Sequence, residues 1–323
     1  MCTAVSFKTK DHYFGRNLDL EYSYLEEVTI TPRNLPLHFR KMDTMNTHFA
    51  MIGMATVVDN YPLYYDATNE HGLSMAGLNF PGNAVYHPFS KKTDNISPFE
   101  LIPWILGKCK MVSDAREYLK GINLVNIDFN RDYPLSPLHW IISDKNESIV
   151  AEPIEIGLKI YDDPVGILTN NPPFDFHMYN LSNYLNLTHE EPVNRFTNQV
   201  DLKPYSNGMG SIGLPGDLSS ASRFIKAAFT KLNSVSGVTE EESISQFFHI
   251  LGSVAQPRGC VKVNGEYEKT IYTSCCNTSR GIYYYTTYEN NQITAVSLFH
   301  ADLNASELRR FPLRKLQQIY REN

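Results

Sequence analysis

The sequence predicts an α+β domain in which antiparallel or mixed sheets carry helices on their outer sides. Three observations predict it. Segments rich in β-branched and aromatic residues, most of them separated by turn residues, fill the first third of the chain and its end. The elements run strands, helices, strands, helices, strands, which is not the regular alternation that builds a parallel sheet. Of the 323 residues, 42 % are apolar and 20 % charged, a composition that closes a core without staples.

Residues 2–8, 13–17, 26–32, 47–58 and 73–79 read as the first strands. Ser97-Pro98-Phe99-Glu100 then combines a capping serine, a proline at the first helical position and a glutamate at the third. It starts a helix that runs to about residue 107. A second helix covers 113–120, and strands follow at 138–143, 148–152, 157–161 and 165–169. Residues 174–185 form a helix. The stretch 187–217 has little periodicity and many Pro, Asn and Gly, which marks a long excursion or assembly loop. A helix over 218–233 places Phe224, Ile225, Ala228, Phe229 and Leu232 on one face. Thr239 caps another helix, to about 254, and strands near 269–276, 281–287 and 292–299 close the chain. There is no internal repeat and no linker, so residues 1–323 are expected to form one domain.

Composition excludes several classes. The net charge is −6 and the basic residues are scattered, so nucleic acid is not expected as a partner. No apolar run reaches the roughly 18 residues of a membrane span. The opening residues lack the charged and apolar regions of a signal peptide, so a cytoplasmic location is expected. The five cysteines are odd in number, irregularly spaced and free of a CxxC pair. Neither a disulfide framework nor a zinc site follows, and no HExxH pairing adds a metal site. Gly208-Met209-Gly210-Ser211-Ile212-Gly213 matches GxGxxG, but no strand precedes it and Leu214-Pro215-Gly216 follows where a helix should open. No cofactor and no metal are expected.

The chemistry centres on Cys2. Removal of Met1 ahead of a small residue leaves a thiol and a free α-amine on one residue. An unperturbed α-amine has a pKa of about 7.7–8.0, so nucleophile and base can share that residue. If strand 2–8 turns at Lys10-Asp11 and pairs with 13–17, Arg16 and Asp19 return beside Cys2. An arginine next to a thiol favours the thiolate, and a carboxylate facing the amine would orient it.

With these residues in view, the sequence resembles the choloylglycine hydrolase family. The resemblance rests on MCTA at the start, FGRNLD at 14–19, NEHGLSMAGLNF at 69–80, LTNNP at 168–172 and ASRF at 221–224. It continues through YTSCCNTSRGIYYYTTYENNQI in the closing strands, so it covers essentially the whole chain. Within the family the similarity is to bile salt hydrolases.

The resemblance implies an N-terminal-nucleophile hydrolase fold, an αββα sandwich of two antiparallel sheets between helix layers. It implies that Cys2 is the nucleophile with Arg16 and Asp19 beside it. It further implies that Asn79 helps form the oxyanion hole, that Asn170 is a second polar group of the site, and that Arg223 is an active-site arginine. By position in the relatives, Leu18, Tyr24, Val58, Tyr65 and Phe129 line the acyl pocket. Relatives are commonly homotetramers, with 187–217 the candidate contact segment.

The implied reaction is hydrolysis of glycine- and taurine-conjugated bile salts. Two alternatives stand beside it: a penicillin V acylase of the same family, and a non-catalytic binder of apolar ligands. The first is disfavoured by Asn79, because the penicillin acylase branch typically carries Tyr there. The second is disfavoured by the intact set of motif residues.

Overall fold

The computed structural model describes residues 1–323. Strands β1 (Cys2–Lys8) and β2 (His12–Leu20) form a hairpin in which Cys2 lies opposite Leu18 and Ala4 opposite Arg16. Strands β3 (Glu27–Thr31), β4 (Met51–Val58), β5 (Tyr61–Asn69) and β6 (Ser74–Asn79) follow as an antiparallel run. The β4–β5 turn is Asp59-Asn60, both at positive φ, as a two-residue type I′ turn requires. Strand β5 is absent from the sequence reading. Pro62 and Asp66 interrupt its strand-like pattern, and both are buried only because the sheet continues on either side.

A short strand β7 (Asp94–Ile96) leads into one 3-10 turn and then α1 (Leu101–Lys108). Glu100 closes the start of that helix by accepting the Ser97 N–H at 2.8 Å. Helix α2 (Val112–Lys120) follows, and strand β8 (Ile122–Leu124) pairs in parallel with β7. Strands β9 (Leu138–Ser143), β10 (Ser148–Ile154), β11 (Gly157–Asp162) and the two-residue β12 (Ile167–Leu168) come next. The helix expected over 174–185 splits into α3 (Phe174–Asn180) and a 3-10 turn to Tyr184. The excursion at 187–217 contains one 3-10 turn at Met209–Ser211. Helices α4 (Ser220–Asn233) and α5 (Glu240–Gly252) precede β13 (Val261–Val263), β14 (Glu266–Asn277), β15 (Ile282–Thr287), β16 (Asn290–Ser297) and the edge strand β17 (Arg309–Pro312). Thr239 and Glu242 cap α5 reciprocally, at 3.2 and 2.9 Å.

Two sheets result. One has the order β12-β1-β2-β14-β15-β16, with β13 added on β14; the other runs β11-β10-β9-β6-β5-β4-β3-β17. Every pairing within them is antiparallel. They stack through β1 and β2 against β6. Helices α4 and α5 pack on the outer side of the first sheet, and α1 and α2 on the outer side of the second. The order of layers is therefore αββα. Both faces of the central strands are buried, so their sequences read as near-continuous apolar runs. In β9, Ile141 enters the core between the sheets while its neighbours Trp140 and Ile142 pack under α1 and α2. No helix is long and apolar enough to cross a membrane.

Gly15 shows how closely β2 and β14 approach. A Cβ there would sit 2.0 Å from the Ser274 carbonyl oxygen. Gly15→Ala is expected to destabilise the fold by about 2–3 kcal/mol, read as a lowered urea midpoint with an unchanged slope.

Candidate active site

The register of the first hairpin sets the site. Cys2, Arg16 and Leu18 lie on the face of the first sheet that meets the second sheet, because residues two apart share a face and Cys2 pairs with Leu18. Asp19 is one residue on and points to the opposite face. Arg16 and Asp19 thus flank the first residues of β1 from different sides.

Arg16 is fully buried. Its Nη1 donates to the Tyr65 carbonyl at 3.0 Å and to the Gly77 carbonyl, and its Nε to Asn17 O at 3.4 Å. Its Nη2 has no hydrogen-bond partner. Burial disfavours the charge, but the facing Cys2, Tyr272 and Asp66 hold the guanidinium above its ordinary value. Asp66, from β5, is one of the groups that favour this charge. It accepts hydroxyl hydrogens from Tyr272 and Tyr283, each at 2.7 Å, and from Ser274 at 3.2 Å. Burial nevertheless raises the pKa of Asp66.

Arg223, near the start of α4, ties the other side together. Its Nη1 donates to the Cys2 carbonyl and, at 2.7 Å, to Thr3 Oγ1. Its Nη2 donates to Asn170 Oδ1 at 2.8 Å, and its Nε to Leu218 O at 3.0 Å. The cost of burial lowers its pKa, opposed by Asp19, Cys2 and Glu268. Asn170 in turn uses every polar group it has. Oδ1 also accepts the Cys2 N–H at 2.7 Å, Nδ2 donates to Asn79 O at 2.8 Å, the main-chain N–H donates to Ser220 Oγ at 2.8 Å, and the main-chain carbonyl meets His177 Nε2 at 2.9 Å. His177 sits under α4 with its pKa lowered to about 4 by burial.

Asp19 accepts the Thr270 hydroxyl at 2.6 Å through Oδ1, while its Oδ2 is buried without a partner. Burial raises its pKa against the pull of Arg223, the terminal amine, Thr270 and Arg16. The Met1 ammonium donates to the Asp19 main-chain carbonyl at 2.7 Å and forms an ion pair with Glu268.

Beside Cys2 opens a cavity of about 350 Å³. Cys2, Arg16 and Leu18 line it from the first sheet; Thr56, Leu63, Tyr65, Gly77 and Asn79 line it from the second. Asn79 presents a side-chain amide that is not used in any hydrogen bond inside the protein. Tyr24, Phe129 and the loop over 132–138 complete the wall with Pro98 and Phe99 from the 3-10 turn before α1 and Ile102 from α1 itself. Phe129 and Phe99 meet edge to face at 5.2 Å, and the Tyr65 hydroxyl is fixed by Thr56 at 2.9 Å. Of the residues named from sequence for this wall, Leu18, Tyr24, Tyr65 and Phe129 line the cavity and Val58 does not. Val58 is half-buried at the tip of the β4–β5 hairpin, opposite Tyr61 and beyond the wall residue Thr56. Asp19, Asn170 and Arg223 lie behind the cavity, against the main chain of Cys2 or the chain terminus. Sequence reading did not place Asp66, Pro98, Phe99, Ile102, Glu268 or the 132–138 loop at the site. Asp66 was hidden with its strand, and the loop has no periodicity to read.

This arrangement combines a thiol at residue 2, buried guanidinium groups on either side of it and an apolar cavity. With the sheet sandwich, it defines an amide hydrolase of the N-terminal-nucleophile type. The sequence profile of the linear amide C–N hydrolases, choloylglycine hydrolase family, matches residues 2–311, and the chain belongs to that family. It is 56 % identical over 324 residues, spanning all of both chains, to a bile salt hydrolase/transferase of Lactiplantibacillus plantarum. It is 38 % identical to a bile salt hydrolase/transferase of Clostridium perfringens, again over all of both chains. The crystal structure of the C2A mutant of conjugated bile acid hydrolase from Clostridium perfringens superimposes with a TM-score of 0.92 at 37 % identity, covering all of both chains. Penicillin V acylase from Agrobacterium tumefaciens shares the fold, with a TM-score of 0.76 at 16 % identity over 98 % of this chain and 92 % of that one.

Arg223→Lys is expected to destabilise the protein by about 2–3 kcal/mol. One ammonium cannot serve the Cys2 carbonyl, Thr3, Asn170 and Leu218 at once, and buried acceptors left unpaired are costly. Urea denaturation of the two proteins measures the difference.

Proposed function

We propose that this chain hydrolyses the amide bond of glycine- and taurine-conjugated bile salts, with Cys2 as nucleophile after removal of Met1. The observation that carries the reading is the placement of Cys2 and Arg16 on the wall of an apolar cavity, in a chain 56 % identical to a bile salt hydrolase/transferase over its whole length. The cavity falls in the range of about 300–1,000 Å³ that holds rigid apolar ligands.

The Cys2 thiol gives its proton to its own α-amine and attacks the amide carbonyl. Arg16, on the same face, stabilises the sulfur anion, and the free Asn79 amide donates to the oxyanion. Each such donor is worth roughly 3–4 kcal/mol. The ammonium then protonates the departing glycine or taurine nitrogen, leaving a thioester on Cys2. Water, deprotonated by the same amine, hydrolyses the thioester and releases the bile acid. Asn170 and Arg223 are positioning residues here: they hold the nitrogen and carbonyl of Cys2. Asp19 faces the amine end. Leu18, Tyr24, Tyr65 and Phe129 contact the steroid. The mechanism uses no metal and no cofactor.

The same reading takes residues 1–323 as one domain of a cytoplasmic homotetramer. The exposed side chains of Val193, Phe196, Val200, Leu202 and Tyr205 in the 187–217 excursion support its use as a subunit contact.

Amine release from glycocholate, taurocholate and penicillin V on one preparation tests the substrate. Both conjugates should exceed penicillin V in kcat/KM by at least about tenfold, since the phenoxymethyl group leaves part of the wall unfilled, at about 25 cal/mol per Å². Penicillin V equal to or better than both conjugates would overturn the assignment. Cys2→Ala should lower turnover by about 10⁴-fold or more while the fold persists, and Cys2→Ser should retain only a small fraction. An active Cys2→Ala protein would remove the nucleophile from the account.

A further inference from the structure

We infer that Glu268 is a positioning residue of the reaction, a second buried carboxylate that, with Asp19, faces the terminal ammonium and sets the basicity of the Cys2 amine. This rests on the proposed function, in which that amine is the general base.

The geometry starts from β14. Lys269 pairs with Leu20 and Thr270 with Asp19, so Glu268 lies one step beyond the Asp19–Thr270 contact, next to the start of β1. Its side chain is 3 % exposed and makes one polar contact in the whole protein, with the terminal ammonium of Met1. Met1 N and Cys2 N are three bonds apart, so at most about 4 Å separates them. The Glu268 carboxylate therefore stands within about 6 Å of the nitrogen that becomes the free amine when Met1 leaves.

The charges around this carboxylate leave it no other partner. Asp19 on β2 and Glu21 just beyond it are acidic neighbours. Arg16 faces the cavity side, donating to Tyr65 and Gly77. Arg223 on α4 is engaged with Cys2 O, Thr3, Asn170 and Leu218. The adjacent Lys269 turns away to Glu289 at 2.6 Å. A buried carboxylate without a cation is costly. In the chain that begins at Cys2, the cation within reach is the Cys2 ammonium. Glu268 is raised in pKa by burial and brought back by the terminal amine, in keeping with that pairing.

A carboxylate within about 6 Å of an amine favours its protonated form, and Asp19 adds a second negative charge to the same surroundings. The thiol and the amine share two protons that leave in two steps, and both steps move to higher pH when negative charge lies beside them. Removing the Glu268 charge should therefore move both limbs of the kcat/KM profile toward acid.

The test compares the parent, Glu268→Gln and Glu268→Asp, each verified by intact mass to begin at Cys2. Glycocholate hydrolysis is followed across pH. Glu268→Gln should shift both limbs acidward by about one unit with KM held, and Glu268→Asp should restore most of the shift. A Glu268→Gln profile that coincides with the parent's overturns the inference, even if the variant is less stable, because a purely structural role moves stability and not the limbs. If Glu268→Gln does not fold, Glu268→Ala and the pH dependence of its Cys2 alkylation by iodoacetamide carry the test: an alkylation profile identical to the parent's overturns the inference equally. A parent that begins at Cys2, folds and hydrolyses no conjugate would instead overturn the proposed function and is seen separately in the same experiment.

Discussion

The structure depends on one buried guanidinium. Arg223 grips the Cys2 carbonyl, Thr3 Oγ1 and Asn170 Oδ1 with two nitrogens, and Asn170 passes the constraint to the Cys2 nitrogen on one side and to Asn79 on the other. The first residues of a chain ordinarily fray. Here they are the start of an interior strand, hydrogen-bonded to β2 and β12 and pinned from α4. The role proposed for Cys2 needs that restraint, because catalytic groups must hold their geometry closely. The cost is a cluster of buried charges, and the burial-driven shifts of Asp19, Asp66 and Arg223 are its signature.

The sandwich supplies the other half of the site. Strand alternation sends Cys2, Arg16 and Leu18 between the sheets and Asp19 outward, so the thiol side and the amine side of residue 2 meet different surroundings. The thiol side opens on an apolar cavity; the amine side meets carboxylates and a saturated asparagine. Asp66 belongs to the first of these. Its carboxylate accepts three hydroxyl donors and, with Cys2 and Tyr272, favours the charged guanidinium of Arg16, a residue of the cavity wall.

Much of this was legible in the sequence because it is local. The turn at residues 9–11 joins two alternating strands, and that alone brings Arg16 and Asp19 back to Cys2. The capped starts of α1 and α5 and most of the apolar face of α4 are equally local, although Leu232, expected on that face, is exposed. What was not legible depends on distant strands. Strand β5 carries Pro62 and Asp66, which argue against a strand until the Tyr272 and Tyr283 hydroxyls, more than two hundred residues away, are placed beside Asp66. Glu268 reads as one more charge in a polar hairpin, and only the sheet order β1-β2-β14 puts it at the chain terminus. Val58 is on an apolar strand yet sits past the cavity, because hairpin length and not residue type decides where the wall ends.

The central claim is that the α-amine of residue 2 is the base that activates its own thiol. In the chain that keeps Met1 this nitrogen is an amide, donating to Asn170 Oδ1 at 2.7 Å, and it can accept no proton. The direct measurement is turnover of glycocholate by two preparations verified by intact mass, one beginning at Cys2 and one retaining Met1 after inhibition of methionine aminopeptidase. The account predicts that the Met1-bearing protein folds with the same melting transition and turns over at least about 10³-fold more slowly. Equal turnover by the two forms would contradict it.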